Sequence, residues 1–531
     1  MNTFKRKALT CAVLAGLGGV ATTAEAVYRN PDGTGMVLIY PYYTVNAVNG
    51  SNFNTYISVT NTTSQAKVTK VRFREGRTSA EVLDFNLYLS PNDVWVGAVG
   101  PFGGSTSADA PAAIFRNPTE TSCTYPEIPA NGEPFKNVDY AGAGTLASLP
   151  GTGLDRTREG YVEIFDMATL TGAAATNITH TGIGANPPNC SAMRIDLTTN
   201  ATLFALLTSP TGGLYGEGTL INVVNGAAVG YKADALDAYR SGQYYADVST
   251  ALPVLGGSAA PFSLVLANNR ATTDQWAGLP SGGARAVAAI FMHTSVMNDY
   301  ILESGSRSNT DWVVTFPGKN EFYGVAPATA GTPVPPYTGV LGTAGACEPA
   351  RFTFFDRNEM SANPPAGGFS PQTGTAGPNT GDLCWESTVV SVRNAQGHTS
   401  AADVSSTNRR SNVLGSRNVL AVTQSDPSFE AGWLNMVFTG ANALVGLTSV
   451  AGGDLTASNV AGLNAFGVPG AATGVFTPRA HTFTGLPVTG FMVTARVNGS
   501  IACTTPSGAA GNCAGNYMTL FNHNYRTTIT P

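Results

Sequence analysis

Apolar and polar residues alternate with a period of two through the first hundred residues, which is the pattern of β-strands. In residues 68–75, Val71 and Phe73 alternate with basic side chains, and in residues 83–90 four apolar residues alternate with polar ones. Such alternation predicts strands with one buried and one wet face, as in an antiparallel sheet. Because these strands recur about every 10 residues, residues 27–105 are predicted to form an immunoglobulin-like β-sandwich.

The segment VLIYPYYTV, residues 37–45, places three tyrosines around Pro41. Proline has no backbone N–H, so the segment is predicted to be an edge strand, a bulged strand or two short strands that meet at a bend. Two roles remain open for Tyr42 and Tyr43. Their rings could pack in the sandwich core with the hydroxyls at its rim, or they could form an exposed aromatic surface that contacts a ligand.

Strand-like patterns continue beyond residue 105, with two helical segments between them. Residues 286–302 have apolar side chains at a spacing near 3.6 residues, which predicts a helix, and residues 231–240 are predicted to form a shorter one. The predicted fold class is therefore mainly β. An N-terminal immunoglobulin-like β-sandwich is followed by a larger β-rich region with one or two helices.

Two segments rich in proline, glycine, threonine and alanine interrupt this pattern, at residues 324–346 and 361–381. Such segments form long loops or linkers, and the first is the predicted domain boundary. The middle β-rich region is then 106–323, and the C-terminal β-rich region is 347–531.

The first 26 residues have the form of an export signal. Three basic residues at positions 5–7 precede an apolar stretch that is too short to span a bilayer, and Ala24-Glu25-Ala26 has the small-x-small form of a cleavage site. We therefore expect residues 1–26 to be removed and the protein to be exported to the cell surface or the exterior, with the periplasm as a further compartment. No later window is apolar enough for a transmembrane helix.

The composition narrows the range of partners. Charged residues make up 12% of the chain, against about 25% in an ordinary globular domain. The formal charge is −5 and becomes about −7 when the export signal is removed. A mildly acidic chain with few charges is not expected to bind nucleic acid. The expected partners are envelope or extracellular glycans or proteins, and the oligomeric state is left open.

Six cysteines remain after removal of the export signal: Cys123, Cys190, Cys347, Cys384, Cys503 and Cys513. An even number of cysteines in an exported chain indicates disulfides. Their spacing favours pairs between neighbours in sequence, namely Cys123–Cys190, Cys347–Cys384 and Cys503–Cys513. The sequence contains no C-x-x-C pattern, and no histidine lies near a cysteine. A zinc site is therefore not expected.

Catalytic motifs are absent from the sequence. The five histidines are far apart, and neither a metalloprotease motif nor a G-x-S-x-G elbow occurs. Glu159 and Glu163 share one face of a strand, as paired glycosidase carboxylates do, but a solvated strand face is the favoured interpretation. We predict no catalytic residue, cofactor or metal. A triad assembled from distant residues stays open, because sequence order does not determine it.

The tryptophans offer a further kind of site, since aromatic faces stack on sugars. Trp95 and Trp312 lie within apolar strands and are predicted to pack in the core. Trp276 lies between polar stretches, so it is the predicted exposed aromatic contact.

Several blocks together resemble a known group of proteins. They are VLIYPYYTV, NTYISVTNTT, EVLDFNLYLSPNDVW, TDWVVTFPGK and LPVTGF. In these blocks the chain is similar to a family of exported proteobacterial proteins described only as cell surface proteins. The resemblance implies export and a β-rich fold. The family has no established activity, so the resemblance implies no catalytic or binding residue.

These observations favour an exported, non-enzymatic protein of the cell surface or exterior with a structural or adhesive role. The alternative is a secreted glycan-binding protein or a glycan-active enzyme.

Overall fold

The structure is a computed structural model of the chain. It describes residues 26–48, 50–105, 107, 109–142, 148–182, 184–268, 270–304, 306, 308–322, 334–358, 361–362, 380–394, 410–424, 429–438, 446–455, 479–496, 501–504, 510–513 and 516–531. Strands dominate these residues, so the fold is mainly β, as the alternation of apolar and polar residues predicts.

The first sixteen strands lie between residues 28 and 237. They are β1 (Tyr28–Arg29), β2 (Val37–Thr44), β3 (Ala47–Val48), β4 (Ser51–Asn52), β5 (Asn54–Asn61), β6 (Ala66–Glu75), β7 (Glu81–Leu89), β8 (Val94–Pro101), β9 (Ala112–Arg116), β10 (Thr124–Tyr125), β11 (Glu133–Pro134), β12 (Glu159–Leu170), β13 (Leu207–Thr208), β14 (Leu214–Asn222), β15 (Ala227–Lys232) and β16 (Asp234–Asp237).

The remaining strands lie between residues 262 and 530. They are β17 (Phe262–Ala267), β18 (Arg270–Gln275), β19 (Met292–His293), β20 (Ser295–Ile301), β21 (Asn309–Thr315), β22 (Glu348–Asp356), β23 (Ser361–Ala362), β24 (Thr380–Leu383), β25 (Ser387–Asn394), β26 (Val419–Gln424), β27 (Ala431–Phe438), β28 (Gly446–Thr448), β29 (Ala451–Leu455), β30 (Thr482–Thr484), β31 (Leu486–Pro487), β32 (Thr489–Arg496), β33 (Ile501–Thr504), β34 (Ala510–Cys513), β35 (Tyr517–Asn522), β36 (Asn524–Arg526) and β37 (Thr528–Thr530).

Helical segments are short. The α-helices are α1 (Val138–Ala141), α2 (Gly172–Ile178), α3 (Cys190–Met193), α4 (Ala201–Phe204) and α5 (Gly282–Phe291). The 3-10 turns are Phe102–Gly104, Leu154–Arg158, Leu197–Thr199 and Lys319–Phe322.

Four sheets form the body of the protein. Sheet 1 has the order β1-β16-β2-β12-β6-β7-β10, with β13 beside β12, and sheet 2 has the order β11-β9-β8-β5-β14-β15. Sheet 3 has the order β26-β25-β21-β32-β35, and sheet 4 has the order β23-β22-β27-β20-β36, with β24 beside β22. Among the strands of the described residues, β25 and β26 are the one pair that runs in parallel. Sheets 1 and 2 draw on more of the chain than residues 27–105, and the immunoglobulin-like form and the domain limits remain predictions.

Sheet 1 is covered on both faces. Leu38 and Val71 on one face belong to a core that also contains Ile57 and Trp95 of sheet 2 and Val313 of sheet 3. The opposite face contributes to a second core, which contains α5 and parts of sheets 3 and 4. Every residue of β2, β6 and β12 is accordingly buried. The predicted burial of Trp95 and Trp312 is confirmed, because both side chains are fully buried.

The prediction of one wet face is wrong for β6. Lys70 is fully buried and Arg72 is 1% exposed, because residues 245–253 pack over this face. The Lys70 ammonium donates a hydrogen bond to the carbonyl of Asp247 at 3.0 Å, and the Arg72 guanidinium donates one to the carbonyl of Ala251 at 3.0 Å. An isolated strand pattern cannot reveal a covering segment 180 residues away. β5 does follow the prediction, since Ile57 is buried and Tyr56 is exposed.

The segment VLIYPYYTV forms β2, an interior strand of sheet 1 with a bulge. Its register against β12 shifts between Gly160 and Val162, because β2 has one extra residue there. The bulge turns Tyr42 and Tyr43 into the same core as Leu38, where both are fully buried. The proposed exposed contact at Tyr42 and Tyr43 is therefore wrong, and packing explains both rings.

The helix predictions are only partly right. Helix α5 begins at Gly282 and ends at Phe291, and the second half of the predicted 286–302 helix forms β19 and β20. Strand β20 pairs with both β27 and β36, so the sheet determines the conformation there. Residues 231–240 form the end of β15 and all of β16 instead of a helix.

Two of the three predicted disulfides are confirmed. Cys123 is bonded to Cys190 and Cys347 to Cys384, which closes segments with sequence separations of 67 and 37 residues. The predicted Cys503–Cys513 bond lies outside the described side chains, although β33 and β34 form a hairpin there. Within the described ranges, none of the helices is long and apolar enough to cross a membrane.

Candidate functional site

The paired carboxylates Glu159 and Glu163 have structural roles. The Arg74 guanidinium donates to Glu163 at 2.9 Å, and the Tyr42 hydroxyl donates to Glu159 at 2.7 Å. The backbone N–H of Arg417 donates to the other Glu159 oxygen at 2.8 Å. Both carboxylates are at most 2% exposed. The expectation of a solvated strand face is therefore wrong, and burial leaves no access for a substrate.

The described ranges contain no cluster of metal ligands, and one buried aspartate–histidine pair has the form of part of a catalytic triad. These ranges contain no group of three metal-binding side chains. Asp274 and His481 form a buried pair, with 3.0 Å between Oδ1 and Nδ1. No hydroxyl or thiol of the described residues hydrogen-bonds the other nitrogen of His481, so the pair lacks the nucleophile of a triad.

Trp276 is not an exposed aromatic contact. Its side chain is fully buried, its indole N–H donates to the Ser263 hydroxyl at 2.9 Å, and its ring centroid lies 5.8 Å from that of Phe483. The polar residues around it in the sequence belong to β18, which is itself buried between β17 and β29. The prediction was wrong because local polarity does not report burial within a sheet.

An open cavity of about 510 Å3 between sheets 3 and 4 combines aromatic and charged side chains. We call it the aromatic cleft. The polar and aromatic residues that line it are Asp299, Tyr300, Asp356, Arg357, Trp433, Thr494, Arg496, Thr519 and Phe521.

The wall on sheet 4 is built by cross-strand pairing. Trp433 of β27 lies directly between Phe355 of β22 and Asp299 of β20. Its ring stacks on that of Phe355, with centroids 4.1 Å apart and 7° between the ring planes. Both aromatic residues are partly exposed. The sheet register therefore holds one indole in a fixed orientation beside a carboxylate.

The wall on sheet 3 is an edge strand. Phe521 of β35 is 56% exposed, which is unusual for so large an apolar side chain. Tyr517 at the start of the same strand is 45% exposed, and the Arg496 guanidinium lies 5.3 Å from the centre of its ring. Aromatic residues that alternate along an exposed edge strand form a surface suited to stacking contacts.

Tyr300 borders the cleft, but its side chain is buried. It is 2% exposed, and its ring packs edge-on against Phe354 at 5.1 Å. Its hydroxyl has no hydrogen-bond partner among the described residues. Burial, together with the Asp356 charge, raises the pKa of Tyr300, so the hydroxyl is neutral and can donate a hydrogen bond.

The charges at the cleft are balanced. Two carboxylates, Asp299 and Asp356, and two guanidinium groups, Arg357 and Arg496, line it. Arg357 also contacts Glu303 at 3.3 Å. Carboxylates and guanidinium groups beside aromatic faces can hydrogen-bond the hydroxyls of a sugar while its apolar face stacks. This site could not be predicted from the sequence, because its residues come from β20, β27, β32, β35 and the end of β22.

Two other cavities are less suited to a ligand. One of about 450 Å3 is lined by five carboxylates, and two of these, Glu81 and Asp84, already pair with Arg72 and Lys70. The other, about 540 Å3, lies between sheet 1 and the C-terminal strands, and it contains the Arg29–Asp234 ion pair.

Buried histidines beside the second of these cavities should make stability sensitive to acid. Burial lowers the pKa of His523 to about 4, and burial together with Arg29 lowers that of His293 to about 3. The unfolded chain takes up protons below about 6.5. Each histidine therefore contributes stability at neutral pH that is lost as the pH falls from there to the folded-state pKa.

Between pH 7 and pH 5, the free energy of unfolding of the wild type should fall by about 2 kcal/mol more than that of a His523→Gln variant. Urea unfolding at both pH values measures this difference. Parallel pH dependences for the two proteins would contradict the prediction. The 2.9 Å contact of His523 Nε2 with the Val313 carbonyl can be replaced by the glutamine amide, so the variant should fold.

No protein-family model, no curated protein and no solved structure matches the chain.

Proposed function

We propose that this protein is exported to the cell surface or exterior, where it binds glycans through the aromatic cleft and acts in adhesion without enzymatic activity. The observation that supports glycan binding most directly is the stack of Trp433 on Phe355 opposite the exposed Phe521, with two aspartates and two arginines around them. The resemblance to exported proteobacterial cell surface proteins agrees with this role.

Two features of the chain support export: the N-terminal segment and the disulfides. Residues 1–26 have the charge and apolar pattern of an export signal. The two disulfides, Cys123–Cys190 and Cys347–Cys384, are suited to an oxidising compartment. An extracellular protein of this kind meets glycans of neighbouring cells and matrices.

The chemistry of the cleft favours a sugar over an apolar ligand. Trp433 and Phe521 offer ring faces to the C–H groups of a pyranose, while Asp299 and Arg496 supply an acceptor and a donor for its hydroxyls. The cleft is open, so a chain longer than a single sugar can pass through it.

Replacement of Trp433 with alanine should weaken glycan binding. Loss of one stacking face removes about 0.5–1.5 kcal/mol of contact energy, so we expect the dissociation constant to rise by about two- to tenfold. A glycan array screened with the mature protein identifies the ligand, and isothermal titration with that glycan gives the affinities.

Two further variants separate binding from folding. Phe521→Ala alters a side chain that is 56% exposed, so it should weaken binding while the unfolding temperature stays unchanged. Tyr56→Ala removes an aromatic side chain that is 42% exposed on sheet 2 and does not line the cleft, and it should leave binding unchanged. Absence of any glycan ligand with millimolar or tighter affinity would refute the proposal.

A further inference from the structure

Lys67 and Asp166 form a distinctive ion pair inside sheet 1. Lys67 lies on β6 and Asp166 on the adjacent β12, and the distance from Nζ to Oδ2 is 2.8 Å. Among the described residues, this is the one lysine–carboxylate pair in which both side chains are fully buried. The other fully buried pair, Arg156–Glu75, involves a guanidinium. A guanidinium is always charged, whereas a lysine can lose its proton and become a nucleophile.

The two oxygens of Asp166 have different surroundings. Oδ2 accepts hydrogen bonds from the Lys67 ammonium and from the backbone N–H of Gly212 at 3.0 Å. Oδ1 is buried and has no hydrogen-bond partner among the described residues. A buried carboxylate with one unpartnered oxygen is costly as an anion, and burial accordingly raises the pKa of Asp166. Proton transfer from Lys67 to Asp166 would leave both groups neutral.

A second carboxyl group lies beside this pair. Asp237 approaches Gly212, where a Cβ would lie only 3.0 Å from Asp237 Oδ1, and the absence of a side chain there permits this approach. Burial raises the pKa of Asp237, which lies near enough for the Lys67 charge to oppose that rise. The Tyr28 hydroxyl donates to its other oxygen at 3.3 Å. Asp237 can therefore hold a proton close to the reacting groups.

We propose that Lys67 and Asp166 form an intramolecular amide bond, with Asp237 as the acid that assists it. Lys67 passes a proton along its hydrogen bond to Oδ2 of Asp166, the nitrogen that is now neutral attacks the carboxyl carbon, and a new N–C bond forms. Asp237, which lies on the Gly212 side of the pair, gives a proton to the Oδ2 hydroxyl, which leaves as one water molecule, and Asp237 regains a proton from the lysine nitrogen. Oδ1 remains as the amide oxygen. No oxidant or further reactant is required.

The bond would link two neighbouring strands of the sheet at the centre of the molecule. Residues 67 and 166 are both on strands whose every residue is buried. The amide would close a loop through β7–β12, in addition to the Cys123–Cys190 disulfide. An adhesive protein under tension gains from a covalent link between strands that hydrogen bonds alone would otherwise hold together.

Peptide mapping of the folded, mature protein tests the proposal. After reduction and tryptic digestion, Lys67 and Asp166 should appear in a single branched peptide that is lighter than the two separate peptides by the mass of one water molecule. Trypsin should not cleave after Lys67. Recovery of both residues in separate, unmodified peptides from the folded protein would overturn the proposal and leave an ordinary buried ion pair.

Three variants and one internal comparison sharpen the test. Lys67→Arg keeps the charge but cannot form the amide, so its peptides should separate. Asp166→Asn should lose ammonia and give a branched peptide of the same mass as the wild type, because the product is identical. Asp237→Asn should leave a fraction of wild-type-like folded protein unlinked; full linkage would refute the assisting role. Lys70 and Asp84, an ion pair with a partly exposed carboxylate, should remain unlinked in the same digest.

Discussion

A Glu75→Ala variant is expected to lose about 3–5 kcal/mol of folding free energy. Glu75 is fully buried at the end of β6, and the Arg156 guanidinium donates to both of its oxygens, at 2.6 and 3.0 Å. The alanine would leave the Arg156 charge in the interior without this carboxylate. Removal of one member of a buried ion pair is costly, because the remaining charge keeps its desolvation penalty.

Glu75 also organises the turn that follows it. Its oxygens accept hydrogen bonds from the backbone N–H groups of Arg77 and Thr78 at 2.8 Å each, and of Ala80 at 3.2 Å. Burial by itself would raise the pKa of Glu75, but the Arg156 charge and these bonds outweigh burial and hold the pKa below its ordinary value. The carboxylate therefore contributes stability that is present above the unfolded pKa, near 4.3, and is lost as the pH falls through the folded-state pKa.

Denaturant unfolding of the wild type and the variant at pH 7 measures the loss. Glu133→Ala is the matched control, because Glu133 pairs with Lys136 at 2.9 Å on the surface, where the two side chains are 31% and 60% exposed. Such exposed pairs contribute about 0–1 kcal/mol. Equal effects of the two substitutions would show that burial of the Glu75 pair does not determine its energy.

The double variant Cys123→Ser, Cys190→Ser is expected to lose about 4 kcal/mol of stability. Its disulfide closes a segment with a sequence separation of 67 residues, and the chain-entropy cost of that loop in the unfolded state gives this magnitude. The bond ties Cys123, beside strand β10, to the start of α3, a region with little regular structure of its own.

Thermal unfolding of the oxidised double variant, followed by circular dichroism, measures this loss. The Cys347→Ser, Cys384→Ser variant is the comparison, since its loop spans 37 residues and should cost slightly less, by a few tenths of a kcal/mol. Unfolding temperatures that match the wild type in both variants would contradict the loop-entropy account.

Local patterns in the sequence predict the β character and two of the disulfide pairs, but not the layering of the sheets. The alternation in β5 and the apolar context of Trp95 and Trp312 depend on near neighbours, so they are visible in the sequence. The buried state of Lys70 and Arg72 depends on residues 245–253, which lie far along the chain.

The residues of the aromatic cleft likewise depend on contacts between distant parts of the chain, so the local sequence does not predict them. Trp433 and Phe521 have no sequence signal for ligand binding, since their proximity follows from the positions of β27 and β35 in different sheets. The alternation of Tyr517, Thr519 and Phe521 along β35 is the one local hint, because three polar or aromatic residues on one face of a strand suggest an exposed edge.

The two-sided burial of sheet 1 has a consequence for how the chain matures. Its strands extend from β1 to β16, the cover over Lys70 and Arg72 comes from residues 245–253, and Val313 and Phe491 complete the core on the other side. A growing chain that lacks these later residues would expose both faces of sheet 1 to water. The charged side chains of Lys70 and Arg72 and the apolar side chains of the opposite face would then lack the residues that cover them. Contacts between such distant residues form slowly. The N-terminal half should therefore stay unfolded until the later residues have been synthesised, and fold only together with them.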